Sequence, residues 1–459
     1  MTERLVVVGG DAAGMSAASQ ARRRRGADDL EIVVLERGSD TSYSACGIPY
    51  WVGDVVEDRD ALVVRTPEAF REKHAIDARV HHEVVGIDTA AGQVRVRDLD
   101  GGREFDEPYD QLLLATGANP VRPPLPGLDG AGVFGVQTLD DGQAILDHLT
   151  AHHVRRAVVV GAGYIGLEMA EAMVVRGYEV DLVERSDRPM KTLDPDLGQR
   201  VADAMQGMGI RLHLTTEVKG IEHDGDRPRA VVTSAGELPA DVVVLGLGTA
   251  PNTDLARDAG IPVGEHTGGI VVDVRQRTRV PGVWAAGDCA EVHHRVARAP
   301  AAIALGTIAN KTGRVAGINL GGGYATFPGV LGTSVTKVCG VEIGRTGLGE
   351  ADAEAAGYQP VCASVQSTTK AGYWPDRERM QLKVVAERRS GRLLGAQIVG
   401  GEGSCKRIDT FAAALWNQMT VEELLNVDLS YAPPFSPVWD PVLIGARKAW
   451  DAVLADGDR

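Results

Sequence analysis

Two short glycine turns, each set between an apolar strand and a helix, restrict this chain more than anything else in it. Residues 4–8 form an apolar strand that enters Gly9-Gly10-Asp11-Ala12-Ala13-Gly14 and then an alanine-rich helix. A second strand over 31–35 ends at Glu36, 22 residues past Gly14. The pattern returns 152 residues later, where Ala157-Val158-Val159-Val160 enters Gly161-Ala162-Gly163-Tyr164-Ile165-Gly166. There the strand over 179–183 ends at Glu184, 18 residues past Gly166. Such βαβ units hold dinucleotides: the glycines admit a pyrophosphate to a helix N-terminus and the acid takes the ribose hydroxyls. The second turn is a complete G-x-G-x-x-G, whereas Asp11 stands where the first would have its middle glycine. Two units in one chain predict two dinucleotide sites, one for a flavin and one for a nicotinamide.

The 459 residues suffice for about three domains at roughly 150 residues each. A composition of 44% hydrophobic and 24% charged residues is that of a globular protein with real cores. The net charge of −15 argues against nucleic acid or an anionic membrane as partner, while leaving room for local basic pockets. No apolar run approaches the ~18 residues of a membrane span, and the N-terminus enters a strand directly rather than reading as a signal peptide. Five cysteines without a CxxC pair make a metal site or a disulfide framework unexpected, and a reducing cytoplasm is the expected location.

Two further stretches belong with the flavin site. Residues 109–114 form an apolar strand that runs into Ala115-Thr116-Gly117, and 278–286 form another that ends at Gly287-Asp288. A carboxylate at that place suits a ribityl hydroxyl; its alternative is an ordinary N-cap for helical sequence resuming near Pro300. The expected architecture is α/β, with a nicotinamide domain inserted in the flavin domain and an α+β unit behind both. The boundaries expected are 1–148 and 274–325 for the FAD domain, 149–273 for the NAD(P)H domain and 326–459 for a dimerisation domain. In the last unit, 334–345 and 380–387 read as strands and 393–399 as another after a turn at 389–392. A helix is expected over about 405–418, and Thr420 has capping-box spacing to Glu423.

Cys46 lies in Thr41-Ser42-Tyr43-Ser44-Ala45-Cys46-Gly47-Ile48-Pro49-Tyr50, just past the first ribose acid. A loop entering a helix at this place can set a sulfur against a flavin, with the helix N-terminus lowering its pKa; the alternative is a buried structural cysteine. Cys289, Cys339, Cys362 and Cys405 lack a comparable setting.

The double fingerprint, the Ala115-Thr116-Gly117 and Gly287-Asp288 turns and the single cysteine of SYSACGIPY together resemble the pyridine nucleotide-disulfide oxidoreductases. Within that family they resemble the single-cysteine branch of coenzyme A disulfide reductases, NADH oxidases and NADH peroxidases. The run 428–437, following Lys406-Arg407-Ile408-Asp409, is similar to the coenzyme A disulfide reductases in particular. The resemblance implies FAD, NADH or NADPH, a homodimer, a small-molecule disulfide as substrate and coenzyme A carried on Cys46. It implies cofactor contacts from Gly9 to Gly14, Glu36, Arg37, Ala115, Thr116, Gly117, Gly161, Gly163, Tyr164, Ile165, Gly166, Glu168, Glu184, Gly248, Gly287 and Asp288. Tyr164 resembles the family's gate over the flavin and Glu168 its glutamate near the nicotinamide. Substrate contacts are implied at Arg22, Arg23, Ser42, Lys406 and Arg407, with Lys73 or His74 matching a further lysine. Tyr431, which in the family reaches the other subunit's site, and Tyr373 after it are the expected proton donors.

Two absences bear on the chemistry. No histidine lies beyond His294, so the C-terminal histidine acid of two-cysteine relatives is missing. Ala12 stands where peroxide-reducing relatives carry a histidine. An enzyme with one redox cysteine needs an external disulfide partner, which favours a disulfide reductase over a sulfenic-acid oxidase or peroxidase, and both over a non-catalytic flavin sensor. Glu184 favours NADH because a carboxylate repels a 2′-phosphate, although Arg185 and Arg188 could offset it.

Overall fold

The computed structural model describes residues 2–457. Its first sheet is wholly parallel and has the order Val283–Ala285, Gln111–Leu114, Glu3–Val8, Leu30–Leu35, Asp77–Arg79. The three central strands are rich in Val, Leu and Ile because both faces are covered, as a parallel sheet requires. The helix Ala12–Arg24 covers one face together with the helix Gly306–Leu320. The second sheet repeats the plan with Arg211–His213, Glu179–Val183, Arg156–Val160, Val242–Leu245 and Val133–Phe134, again all parallel. In both sheets the glycine turn leaves the central strand, between neighbours on either side, where the fold leaves a crevice for ligand.

The third sheet is antiparallel: Ser334–Val338, Val341–Gly347, Leu393–Gly400, Arg379–Glu387 and Pro360–Thr368. The helices Ile408–Trp416 and Pro441–Gly457 accompany it, and Leu382, Val384, Ile398, Phe411 and Val442 share its core. Among the described residues no helix is long and apolar enough to cross a membrane.

Several boundaries differ from expectation. The second sheet recruits Val133–Phe134 ahead of residue 149, and two residues are too few to show a period. The chain rejoins the first core earlier than 274, because Ala256, Ile261 and Ile270 pack with Val6, Val8 and Val33. The strand expected over 278–286 shrinks to Val283–Ala285, since the preceding residues turn back through hydrogen bonds such as Thr278 N to Val283 O. Residues 334–345 are a hairpin rather than one strand, reversed at Cys339 and Gly340, both at positive φ. A 3₁₀ turn at Cys405–Arg407 precedes the helix expected from 405. Helix does not resume at Pro300, which sits in the strand Ala299–Ala301, so Asp288 caps nothing there; the next helix starts at Gly306 with Leu305 at its cap. The Thr420–Glu423 capping box forms.

Candidate active site

In the first turn Gly9 has φ +105°, and a Cβ there would lie 2.2 Å from the Ala115 carbonyl; one on Gly14 would lie 1.9 Å from the Gly9 carbonyl. Only glycine lets the strand, the turn and the helix start approach this closely. Glu36 closes the turn, its carboxylate accepting from Gly10 N–H at 2.7 Å and Gly38 N–H at 2.7 Å. The second turn repeats the arrangement residue by residue. Gly161 has φ +100°, a Cβ on Gly166 would meet the Gly161 carbonyl at 1.9 Å, and Glu184 accepts from Ala162 N–H at 2.8 Å and Ser186 N–H at 2.8 Å. Ala13, buried, and Ile165, half-buried, are the helix residues beside the two turns.

Around these turns lie the other sequence-predicted positions. The Thr116 hydroxyl donates to Asn252 O at 2.6 Å and Gly117 O accepts from Asn252 N–H, which ties the strand end to the second module's exit. Arg37 is exposed and donates to Asn119; Gly248, also exposed, has φ +87° and accepts from Val121 N–H. A Cβ on Gly287 would stand 2.7 Å from that of Ala13, which keeps Asp288 at the mouth of the first turn. Asp288 Oδ1 is buried and has no hydrogen-bond partner. Burial raises this carboxyl to about 6, against a Leu305 N–H that pulls it down. An unmatched buried acceptor beside a dinucleotide cradle is what a hydroxylated ligand would satisfy, and on that observation the residues present fit FAD.

Cys46 occupies the 3₁₀ turn Ala45–Gly47 ahead of the five-residue helix Ile48–Val52 and is exposed. Two hydrogen bonds from the glycine turn hold its loop: Ser42 N–H donates to Gly10 O, and Tyr43 N–H to Asp11 Oδ1 at 3.1 Å. Ser42 itself is at positive φ. The departure from G-x-G-x-x-G thus has a use, because glycine at 11 would offer no acceptor. The expected lowering of the Cys46 pKa is not what the structure shows. Burial pushes the thiol up, and Glu168, Asp11 and Asp288 push it further. A helix of five residues cannot outweigh three carboxylates. Asp11 is itself raised to about 6 by burial, with Glu36 adding to it.

The helix Ala12–Arg24 ends beside the helix Pro67–His74, and a groove of about 400 Å³ between them is lined by Arg22, Arg23, Arg65, Glu72, Lys73 and His74. Arg22, Arg23 and Lys73, expected here from resemblance, are therefore brought together across fifty residues of sequence. No ion pair among the described residues engages Arg22, Arg23, Arg65 or Lys73. Arg22 donates only to carbonyls, at Ala75 (2.9 Å) and Arg25 (3.2 Å), while its Nε is buried without a partner. Desolvation and then Arg65, Arg23 and Lys73 hold the His74 pKa down. Arg65 in the groove wall ends a segment that pairs with the Cys46 loop: Val64 N–H donates to Ser42 O and Ser44 N–H to Leu62 O.

Residues 3–306 match the pyridine nucleotide-disulphide oxidoreductase family, and residues 333–441 match that family's dimerisation domain. The chain belongs to the pyridine nucleotide-disulphide oxidoreductases. It is 40% identical over 444 residues to the NAD(P)H sulfur oxidoreductase (CoA-dependent) of Pyrococcus abyssi, covering 96% of this chain and 97% of the relative. It is 32% identical to the coenzyme A disulfide reductase of Staphylococcus aureus over 448 residues, 97% and 99% of the two chains. Among solved structures, the NAD-dependent persulfide reductase from A. fulgidus superposes with a TM-score of 0.94 at 37% identity, over 99% of this chain and 84% of that one. This oxidoreductase is thus an NAD(P)H-dependent flavoprotein enzyme with two dinucleotide-binding modules and a dimerisation domain.

The remaining predicted residues of the oxidoreductase divide. Tyr431 and Tyr373 come together on an exposed face of the dimerisation domain, where slight desolvation and then Tyr373 raise the Tyr431 phenol. Among the described residues no hydrogen bond joins them to the Cys46 loop of the same chain. Arg407 is spent internally: it donates to Asp440 at 3.1 Å, to Thr369 O at 2.9 Å, to Phe435 O at 2.8 Å and to Gly403 O. It holds the segment that follows Tyr431. Lys406 is exposed and paired with Asp409 at 2.5 Å. On the first helix of the second module, Tyr164 is hydrogen-bonded to Ser334 and Glu168 to Thr336. Arg188 is tied to Asp187 and Leu193 O, leaving Arg185 as the exposed arginine beside Glu184. Sequence reasoning missed Arg65, Ser334 and Thr336, none of which lies in a motif.

Proposed function

We propose that this oxidoreductase reduces coenzyme A disulfide, or a related low-molecular-weight disulfide or persulfide, with electrons from NADH through the single redox cysteine Cys46, as a homodimer in a reducing cytoplasm. The observation that carries the reading is the groove of Arg22, Arg23, Arg65 and Lys73, whose wall at Arg65 continues into the segment paired with the Cys46 loop, since cations without carboxylate partners suit the phosphates of a substrate whose sulfur must reach Cys46. FAD, when bound, would supply two-electron transfer between the nicotinamide and sulfur. Glu36 and Glu184 offer carboxylates for the two adenosine riboses, the glycine turns admit the pyrophosphates, and Asp288 accepts from a ribityl hydroxyl. Tyr164 covers the nicotinamide side. Cys46 thiolate attacks one sulfur of the substrate disulfide; the Cys46–substrate bond forms as the substrate S–S bond breaks, and one thiolate leaves. An electron pair then cleaves the mixed disulfide and restores Cys46 thiolate with release of the second thiol. Per disulfide, one NADH and one proton give NAD⁺ and two thiols. Tyr431, reaching from the second copy with Tyr373 beside it, is the donor to the leaving thiolate.

NADH oxidation measured in parallel with coenzyme A disulfide, coenzyme A persulfide, peroxide and air tests this. The disulfide or persulfide should accelerate turnover, with NADH preferred to NADPH, and Arg22→Ala should raise the KM for that substrate about tenfold by removing charge-assisted contacts. Acceleration by peroxide or air alone overturns the reading in favour of an oxidase, and no acceleration by any of them favours a sensor.

Asp288 carries a second expected outcome. Its carboxyl sits at about 6 in the folded chain against the ordinary 3.8. The folded apoprotein therefore holds a proton that the unfolded chain has released. Stability should fall as pH rises from about 4 to 6 and stay lowered above, by about 2–3 kcal/mol for this group. Denaturant titration of the apoprotein should show Asp288→Asn flattening that fall, while Asp288→Ala weakens FAD binding about ten- to hundredfold.

A further inference from the structure

The nucleotide helix Tyr164–Val175 and the first strand of the dimerisation domain, Ser334–Val338, meet through a row of polar contacts. Tyr164, Glu168 and Glu171 stand at i, i+4 and i+7, one face of the helix. Ser334 and Thr336 stand at i and i+2, one face of the strand. The Tyr164 hydroxyl meets Ser334 Oγ at 2.5 Å, the Thr336 hydroxyl donates to Glu168 Oε1 at 2.6 Å, and Cys339 N–H, at the turn beyond the strand, donates to Glu171 Oε1 at 2.8 Å. Thr336 is buried, so its hydroxyl has this one use, while the alternate residues Val335 and Lys337 face outward. Beside Tyr164 lies a cavity of about 560 Å³, bounded by Tyr164, Thr192, His294, Leu305, Ser334 and Arg345. The ring therefore has both a holder and a space to move into.

We propose that Ser334 and Thr336 are positioning residues of the nucleotide side: Ser334 holds Tyr164 closed, and Thr336 orients the Glu168 carboxylate. The proposal rests on the reading that Tyr164 and Glu168 face the nicotinamide. A domain named for subunit contact thereby sets the geometry of the hydride-donor side within its own chain. The two hydroxyls act on different quantities. Opening the gate breaks the Tyr164–Ser334 bond, so that bond opposes nucleotide binding. The Thr336–Glu168 bond persists in both positions of the ring and affects the bound complex instead.

The test is made on the holoenzyme, with bound-FAD absorbance reporting that each variant is folded. For Ser334→Ala, the Kd of NAD⁺ measured by calorimetry should fall about three- to tenfold, the value of one hydrogen bond. NADH oxidation by oxygen should rise and disulfide-dependent kcat should hold. Ser334→Thr, which keeps a hydroxyl, should restore the parent Kd. Thr336→Val, which keeps the shape and removes the hydroxyl, should lower kcat about tenfold and leave the Kd of NAD⁺ where it was. An unchanged Kd in Ser334→Ala, or the same change in both parameters for both variants, overturns the proposal. Tyr164→Ala separates the two failures. If it too leaves nucleotide affinity unaltered, the placement of Tyr164 at the nicotinamide is wrong; if it alters affinity while Ser334→Ala does not, only the positioning role falls.

Discussion

Cys46→Ser should abolish disulfide-dependent NADH oxidation, by about a thousandfold or more, while the protein keeps its yellow colour and its affinity for NADH. The size follows from chemistry: an alcohol cannot form or pass on the mixed disulfide, and no second sulfur stands ready to replace it. Cys289 is buried with its thiol turned to the Leu114 and Ala286 carbonyls, Cys405 is buried against the Ile343 carbonyl, and burial raises Cys339 and Cys362 to about 12. The colour should survive because the cradle is made by Gly9, Gly14, Glu36 and Asp288, none of which Cys46 supports. Intact mass gives an independent measure. A coenzyme A-sized adduct released by reductant from the parent and missing in the variant identifies nucleophile and substrate together, whereas undiminished disulfide turnover in the variant overturns the role of Cys46.

How much of this was legible in the sequence depends on whether a feature is local. The glycine turns were, because strand, turn, helix and acid fall within about thirty residues and each needs a particular residue type. The Thr420 capping box was legible for the same reason. The two-residue strand Val133–Phe134 was not, since it has no period and is defined only by its partner Val243–Val244. The Cys46 position was readable but its electrostatics were not: Asp11, Glu168 and Asp288 converge on it from three separate parts of the chain, and a helix start suggested the opposite sign. The intrachain acceptors around Arg407 were not legible, because a motif match says where a residue falls in the chain and nothing about which carbonyls and carboxylates fold around it. Ser334 and Thr336 carry no signal at all until a strand places them against a helix from another domain.

The same reasoning applies with larger consequence to Lys383, an ordinary lysine in the strand Arg379–Glu387. Its ammonium lies 2.9 Å from Asp194, 2.9 Å from Glu350 and 3.6 Å from Asp196, and its side chain is only 9% exposed. Burial works against this charge, but the hydrogen bonds to Asp194 and Glu350 outweigh it and hold the ammonium above its ordinary value. Asp194 and Asp196 begin the helix Pro195–Gly207 of the nucleotide module, whereas Lys383 and Glu350 belong to the dimerisation domain. One cation thus joins two domains and neutralises part of a cluster of three carboxylates. Lys383→Met should cost about 3–5 kcal/mol, because it leaves the buried Asp194 carboxylate without its cation, facing the exposed Glu350 and Asp196. Circular-dichroism denaturation should show a lower midpoint, and the KM for NADH should rise as the nucleotide module loosens, while alkylation of Cys46 in the other module proceeds as before. Adding Asp194→Asn to Lys383→Met should recover much of the loss, since a neutral buried side chain costs less than a buried carboxylate missing its partner. A single variant within about 1 kcal/mol of the parent would mean that water reaches Asp194 as well and screens it as it does a surface pair. The domains would then be held by apolar packing and by the other hydrogen bonds between them, such as Asp194 N–H to Gln397 Oε1 at 2.7 Å and the polar row from Tyr164 to Glu171.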